Sequence, residues 1–131
     1  MNFIPANITE IKSVDSINIV SFEAEGQSMR MMSLELDNSL KVDSKVILGA
    51  KATHIAIAKE LNDQMSISNQ LEVCIESVNS GELLSSVKFH FAGNLLESII
   101  TKESAVRMGL QEGDNIVALI KSSELSIVEV L

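Results

Sequence analysis

The sequence predicts an all-β protein made of two tandem OB-like five-stranded barrels, each with one short helix. Three observations predict it: an internal repeat running the length of the chain, apolar residues alternating with polar ones at the strand period, and Gly/Asn/Ser clusters where turns are needed.

The repeat comes first because it sets the boundaries. Residues 2–33 set against 69–100 give six identities: Asn2/Asn69, Ile8/Ile75, Ser13/Ser80, Val20/Val87, Phe22/Phe89 and Gly26/Gly93. Conservative pairs share that register, among them Ile4/Leu71, Ile11/Val78, Ile17/Leu84 and Met32/Ile99. A second register, shifted by three residues, joins Leu40/Leu110, Val46/Ile116, Lys51/Lys121, Thr53/Ser123, Ile55/Leu125 and Ile57/Ile127. The first copy therefore lacks three residues between positions 33 and 40. The expected units are 1–60 and 61–131, with residues 58–68 as a short connector that holds them in a fixed relation.

Within the second copy each element has a local cause. Leu71, Val73 and Ile75 alternate with Glu72, Cys74 and Glu76, and Val87, Phe89 and Phe91 alternate with Lys88 and His90, giving two half-buried strands. Asn79-Ser80-Gly81 and Ala92-Gly93-Asn94 supply turn chemistry after them. A third strand over 95–100 leads into a helix with Thr101 as N-cap, Ser104 three residues on, and Gly109 available for a left-handed cap. Glu112-Gly113-Asp114 turns into a strand over 116–120, and residues 125–130 are expected to close the same unit. Five strands and a short helix per copy is the OB-like count.

Composition narrows the function. With 46% hydrophobic and 21% charged residues and no low-complexity tract, the chain has the make-up of a folded globule. No apolar run approaches the roughly 18 residues that a membrane-crossing helix needs, so no membrane partner is expected. The first residues lack the basic and apolar regions of a secretory signal, and the single cysteine, Cys74, excludes an internal disulfide framework. The expected location is cytoplasmic. A net charge of −8, no Trp, no Tyr and four Phe argue against nucleic acid, which repels acidic surfaces and favours aromatic stacking platforms. A small anion is not excluded, because its site is built locally from amides, hydroxyls and a cation.

Three segments carry a family resemblance: Ser66-Ile67-Ser68-Asn69-Gln70, then Ile100-Thr101-Lys102-Glu103-Ser104, then Gly113-Asp114 leading into Ala118-Leu119-Ile120-Lys121-Ser122-Ser123. In that order and spacing the second copy resembles the Mop, or TOBE, domain of molbindins and molybdate-responsive regulators. Two such units in one chain are similar to the di-Mop molbindins. The resemblance implies a homo-oligomer, a trimer, with molybdate or tungstate held at subunit interfaces for storage or buffering and no catalysis. It assigns oxyanion binding to Ser66, Ser68, Thr101, Ser104, Lys121, Ser122 and Ser123, with Lys51 and Thr53 as first-copy equivalents. No protein side chain ligates the metal, which arrives already wrapped in oxygens.

These residue types suit that ligand. A tetrahedral dianion offers acceptors and no donors, so hydroxyls, backbone N–H groups and a cation are its complement. Hydrogen bonds to a charged group contribute about 1.5 to 3 kcal/mol each, and half a dozen, less desolvation and ordering, reach the about 8 kcal/mol of a micromolar complex. One departure is that the family's motif before the first strand is Ser-Ala-Arg-Asn, whereas Ser68 stands in the arginine position. Lys102 or Arg107 of a neighbouring subunit are the expected substitutes. In the first copy the deletion leaves Ser33-Leu34-Glu35-Leu36 where Thr-x-x-Ser should be, so its pocket is expected to be altered or absent.

Plainer explanations compete for each residue. Thr101 and Ser104 alone read as ordinary helix capping, Lys121 as a solvated lysine and Ser122–Ser123 as turn residues; the recurrence of Lys121 as Lys51 raises it above that. His54 and His90 occupy unrelated repeat positions and read as solvated, Cys74 lacks an activating neighbour, and Met29, Met31 and Met32 read as core filler. Two other functions compete: a ligand-sensing accessory module that docks on a regulator or transporter, and, less favoured, an OB-fold nucleic-acid binder. An enzyme is not expected, since no acid/base or nucleophile constellation is visible.

Overall fold

The computed structural model describes all of residues 1–131. Alternation at period two decides which side chains turn inward. In β1 (Asn2–Val14) Ile4, Ala6 and Ile8 are buried, and in β6 (Asn69–Ser80) Leu71, Val73 and Ile75 are, so both long strands lay one face on the core. The hairpin partners repeat the pattern: β2 (Ile17–Ala24) buries Val20, Phe22 and Ala24, and β7 (Leu84–Phe91) buries Val87, Phe89 and Phe91. The remaining strands are β3 (Gln27–Ser33), β4 (Lys45–Ala50) and β5 (Ile55–Ala58) in the first half, with β8 (Asn94–Thr101), β9 (Asn115–Ile120) and β10 (Ser126–Val130) in the second.

The repeat is visible atom by atom. Both long strands carry a register shift at the same place, between Ile8 and Glu10 and between Ile75 and Ser77. Left-handed backbone falls at equivalent positions, with Glu25 and Gly26 matching Ala92 and Gly93, and Asp43 matching Gly113. Asp43 N–H donates to the Ile8 carbonyl at 2.8 Å, as Gly113 N–H does to Ile75 at 2.9 Å.

One expectation is overturned. Residues 125–130 do not close the second unit, because β10 pairs with β4 of the first half, while β5 pairs with β9 of the second. The two five-stranded sheets therefore run β10-β4-β1-β2-β3 and β5-β9-β6-β7-β8. Each half donates its last strand to the other. The 3-10 turns after Lys51 and Lys121, each closed by a hydrogen bond to the lysine carbonyl, connect each fourth strand to the fifth, which pairs in the neighbouring sheet.

The expectation of one helix per copy also needs correction. The only α-helix is α1 (Lys102–Met108), capped by the Thr101 side chain and ended by Gly109 at φ 62°. The first half has no room for its counterpart. Residues 34–44 instead form short turns, one of them fixed by Ser39 N–H donating to the Asp37 carboxylate at 2.8 Å. That bond holds the Asp37 carboxyl below the usual carboxylate range. Among the methionines, Met29 and Met31 are core filler as expected, whereas Met32 is 48% exposed.

Buried residues from both halves merge into one apolar cluster, from Ile4 and Phe22 through Ile55 to Phe89 and Leu125. Two polar clamps tie the halves together at repeat-equivalent positions. Asn2 donates from Nδ2 to the Glu97 carbonyl at 2.8 Å and accepts from Glu97 N–H at 2.7 Å. Asn69 does the same to Arg30, donating at 2.8 Å and accepting at 2.7 Å. β3 and β8 are the outer strands of their sheets, and each asparagine satisfies backbone groups there that have no neighbouring strand.

Candidate functional site

The residues singled out above fall into two groups. The first gathers where β6 begins and β9 ends. Asn69 lies opposite Ile120 in the β6/β9 ladder, so Ser68 and Lys121, the next residues outward, flank that pair. Lys121 opens the 3-10 turn Ser122–Glu124, which packs against β3 and is closed by Glu124 N–H donating to the Lys121 carbonyl at 2.8 Å. Ser66 sits in a loop shaped by Gln70, whose Nε2 donates to the carbonyls of Asn62 and Ile67 at 2.7 and 2.8 Å. Ser66, Ser68, Lys121 and Ser123 are exposed and Ser122 half-buried, so this group presents hydroxyls and one ammonium to solvent.

The second group surrounds the start of α1. Ser104 N–H donates to Thr101 Oγ1 at 3.1 Å, the two hydroxyls lie 3.0 Å apart, and Arg107 donates to Ser104 Oγ at 3.2 Å. These residues cap the helix as the plainer explanation supposes; Thr101 is exposed and Ser104 half-buried. An open groove of about 680 Å³ beside them has Leu83, Leu84 and Val106 in its lining, with Lys102 and Arg107 offset by Glu82 and Glu103, and includes none of residues 121–123. Of the two cations expected to stand in for the lost arginine, Arg107 is engaged by Glu103 at 3.1 Å, whereas Lys102 makes no ion pair.

The strand exchange decides where the first-copy equivalents lie. Lys51 and Thr53 belong to the turn that packs against β8, the strand ending at Thr101, and not against their own sheet. The two turns meet through His54 Nδ1 and Glu124 Oε2 at 2.9 Å, residues one repeat apart. His90 likewise pairs with Glu76 at 2.8 Å across β6 and β7, and both histidines are solvent-exposed, as the sequence suggested. No cluster of three or more His, Cys, Asp or Glu side chains suits a metal ion. Cys74 is exposed with no strong partner.

Residues 65–127 match the TOBE domain family. That match falls within the second half of the chain. The molybdenum import ATP-binding protein ModC of Brucella abortus is 33% identical over 87 residues, which are 66% of this chain and 24% of that protein. The molybdate/tungstate import ATP-binding protein WtpC of Pyrococcus horikoshii is 24% identical over 110 residues, 84% of this chain and 32% of that protein. The chain thus spans about a quarter to a third of the curated relatives it matches. Its fold is that of ModG, a cytoplasmic molybdate-binding protein solved with molybdate bound, at a TM-score of 0.86 and 21% identity over 96% of this chain and 94% of that one. The likeness extends over both halves, so the degenerate first half shares the architecture although the TOBE match begins at residue 65. No helix is long and apolar enough to cross a membrane.

Proposed function

We propose that the chain binds molybdate, or tungstate, as a cytoplasmic storage or buffering protein with no catalytic role. The observation that carries this reading is that the half matching the TOBE family bears seven of the nine donor residues, Ser66, Ser68, Thr101, Ser104 and residues 121–123, leaving only Lys51 and Thr53 in the first half. The relatives are named for molybdate or tungstate import, and the fold-mate binds molybdate. The chemistry agrees: hydroxyls, backbone amides and an ammonium complement an acceptor-only dianion.

Within one chain the Thr101 group and the Lys121 group have no hydrogen bond between them. In this reading the site is completed between copies, with one subunit's helix start facing another's β9 end in a homotrimer. The first half contributes architecture more than binding. Where Thr101 and Ser104 would recur it holds Ser33-Leu34-Glu35-Leu36, followed by the ionised Asp37, whose charge repels an anion. Lys51 and Thr53 are the remaining donors there.

Calorimetric titration with molybdate, tungstate and sulfate tests the reading. Selective binding of the larger oxyanions is expected, and equal or absent binding of all three overturns it. Native mass measured with molybdenum content fixes the number of copies and sites. A second reading follows from the relatives being transport ATP-binding proteins, of which this chain spans only a part. A ligand-sensing module would capture such a partner in a molybdate-dependent pull-down, whereas a buffer would not.

A further inference from the structure

We infer that Arg30, on the outer strand of the first half, supplies the guanidinium that Ser68 lacks, and so is an oxyanion-binding residue of the second half's site. This rests on the molybdate reading above. Three observations on separate elements lead to it.

The first is placement. Asn69, the residue after Ser68, grips both backbone groups of Arg30, at 2.7 and 2.8 Å. Asn69 is fully buried and opposite Ile120, which precedes Lys121. Ser68 and Arg30 are thus each one step from a single buried amide, and Lys121 is two. The turn following Lys121 packs on the same strand, β3.

The second is availability. On β3 the flanking Met29 and Met31 point into the core, so Arg30 points away from it and is exposed. Its guanidinium makes no ion pair and no hydrogen bond, unlike that of Arg107, which is held by Glu103 and Ser104. A planar fork of donors with no partner in the chain is free to meet two oxygens of a tetrahedral anion.

The third is the contrast with the other end. The residue equivalent to Arg30 is Glu97, whose backbone is gripped by Asn2 in the same way. Glu97 accepts a hydrogen bond from Ser86 Oγ and brings negative charge to the Lys51 end. The same scaffold therefore carries a free cation at one clamp and an anion at the other. Within one chain Ser66, Ser68 and residues 121–123 lie at the Arg30 end, whereas Thr101 and Ser104 follow β8, the strand that carries Glu97, and come from another copy in the proposed site.

Molybdate titrations of the full chain and of Arg30→Gln, with and without Ser68→Arg, test the assignment. Arg30→Gln is expected to raise the Kd about ten- to a hundredfold, the effect of losing one hydrogen-bonded charge. Its thermal midpoint should not move, because Asn69 holds the backbone of residue 30 and not its side chain. Adding Ser68→Arg should restore most of the lost affinity, which a merely structural role for Arg30 does not predict. If Arg30→Gln binds as tightly as the unaltered chain, the inference falls while the molybdate reading stands. If the unaltered chain binds no oxyanion, the reading itself falls. Should Arg30→Gln lose stability as well, failure of Ser68→Arg to recover binding overturns the assignment.

Discussion

A lysine at the end of β9 and its repeat mate at the end of β4 have the same backbone setting and different company. Lys121 adjoins Ser68, Ser122 and Ser123 and its turn packs on β3, which carries Arg30, whereas the turn that Lys51 opens packs on β8, which carries Glu97. Lys121→Ala should therefore weaken molybdate binding about tenfold or more without lowering the melting temperature, while Lys51→Ala has little effect. Equal losses in parallel titrations would mean that the first half holds a working site. Asn69 acts on stability. Replacing it by Ala removes a donor and an acceptor from the Arg30 backbone inside a closed contact, each orphaned group costing about 1 to 3 kcal/mol. Urea unfolding should show Asn69→Ala destabilised by about 2 to 4 kcal/mol, with Asn69→Asp no better, since a carboxylate cannot donate to the Arg30 carbonyl. A loss below half a kilocalorie would remove the clamp from the account.

Among the elements, β10 against β4 is the most sensitive junction. A Cβ added at Gly49 would lie 2.6 Å from Val128 Cγ1, closer than packed carbons approach, and a β-branched side chain has little freedom to move aside. Gly49→Ala should therefore destabilise the protein by about 1 to 3 kcal/mol, and Val128→Ala in the same chain should recover much of it. A double-mutant cycle measures that coupling, and strictly additive effects would place the clash elsewhere. The strands themselves were legible because burial imposes period two on Leu71, Val73 and Ile75, and the helix because Thr101, Ser104 and Gly109 mark its ends. The partner of β10 was not legible. Ile127, Val128 and Val130 carry the same apolar pattern whichever sheet receives them, so periodicity identifies a strand and is silent on its neighbour. The helix expected in the first half failed for a simpler reason, since three missing residues leave no turn of helix between Ser33 and Leu40. For the site, the hydroxyls and Lys121 could be found along the sequence, whereas Arg30 comes near them only through a side-chain-to-backbone clamp spanning 39 positions.

Exchange of the fifth strands changes how the whole molecule should unfold. Were each repeat a closed unit, a lesion in one would melt one sheet and leave the other. Here β4 borders β10 from the second half, β9 borders β5 from the first, and the apolar cluster is continuous across both. Losing either sheet strips a strand and part of the core from the other, so the free energy of each is tied to both. Phe22 and Phe89 are repeat equivalents, each fully buried, one in each half. Phe22→Leu and Phe89→Leu should each lower stability by about 1 to 3 kcal/mol, and each should shift one shared transition. Hydrogen exchange resolved by residue provides the measurement: the slowest amides of β1 and of β6 should lose protection together under either substitution. Protection lost only in the sheet that carries the substitution would show that the exchanged strands join two independent domains without coupling them.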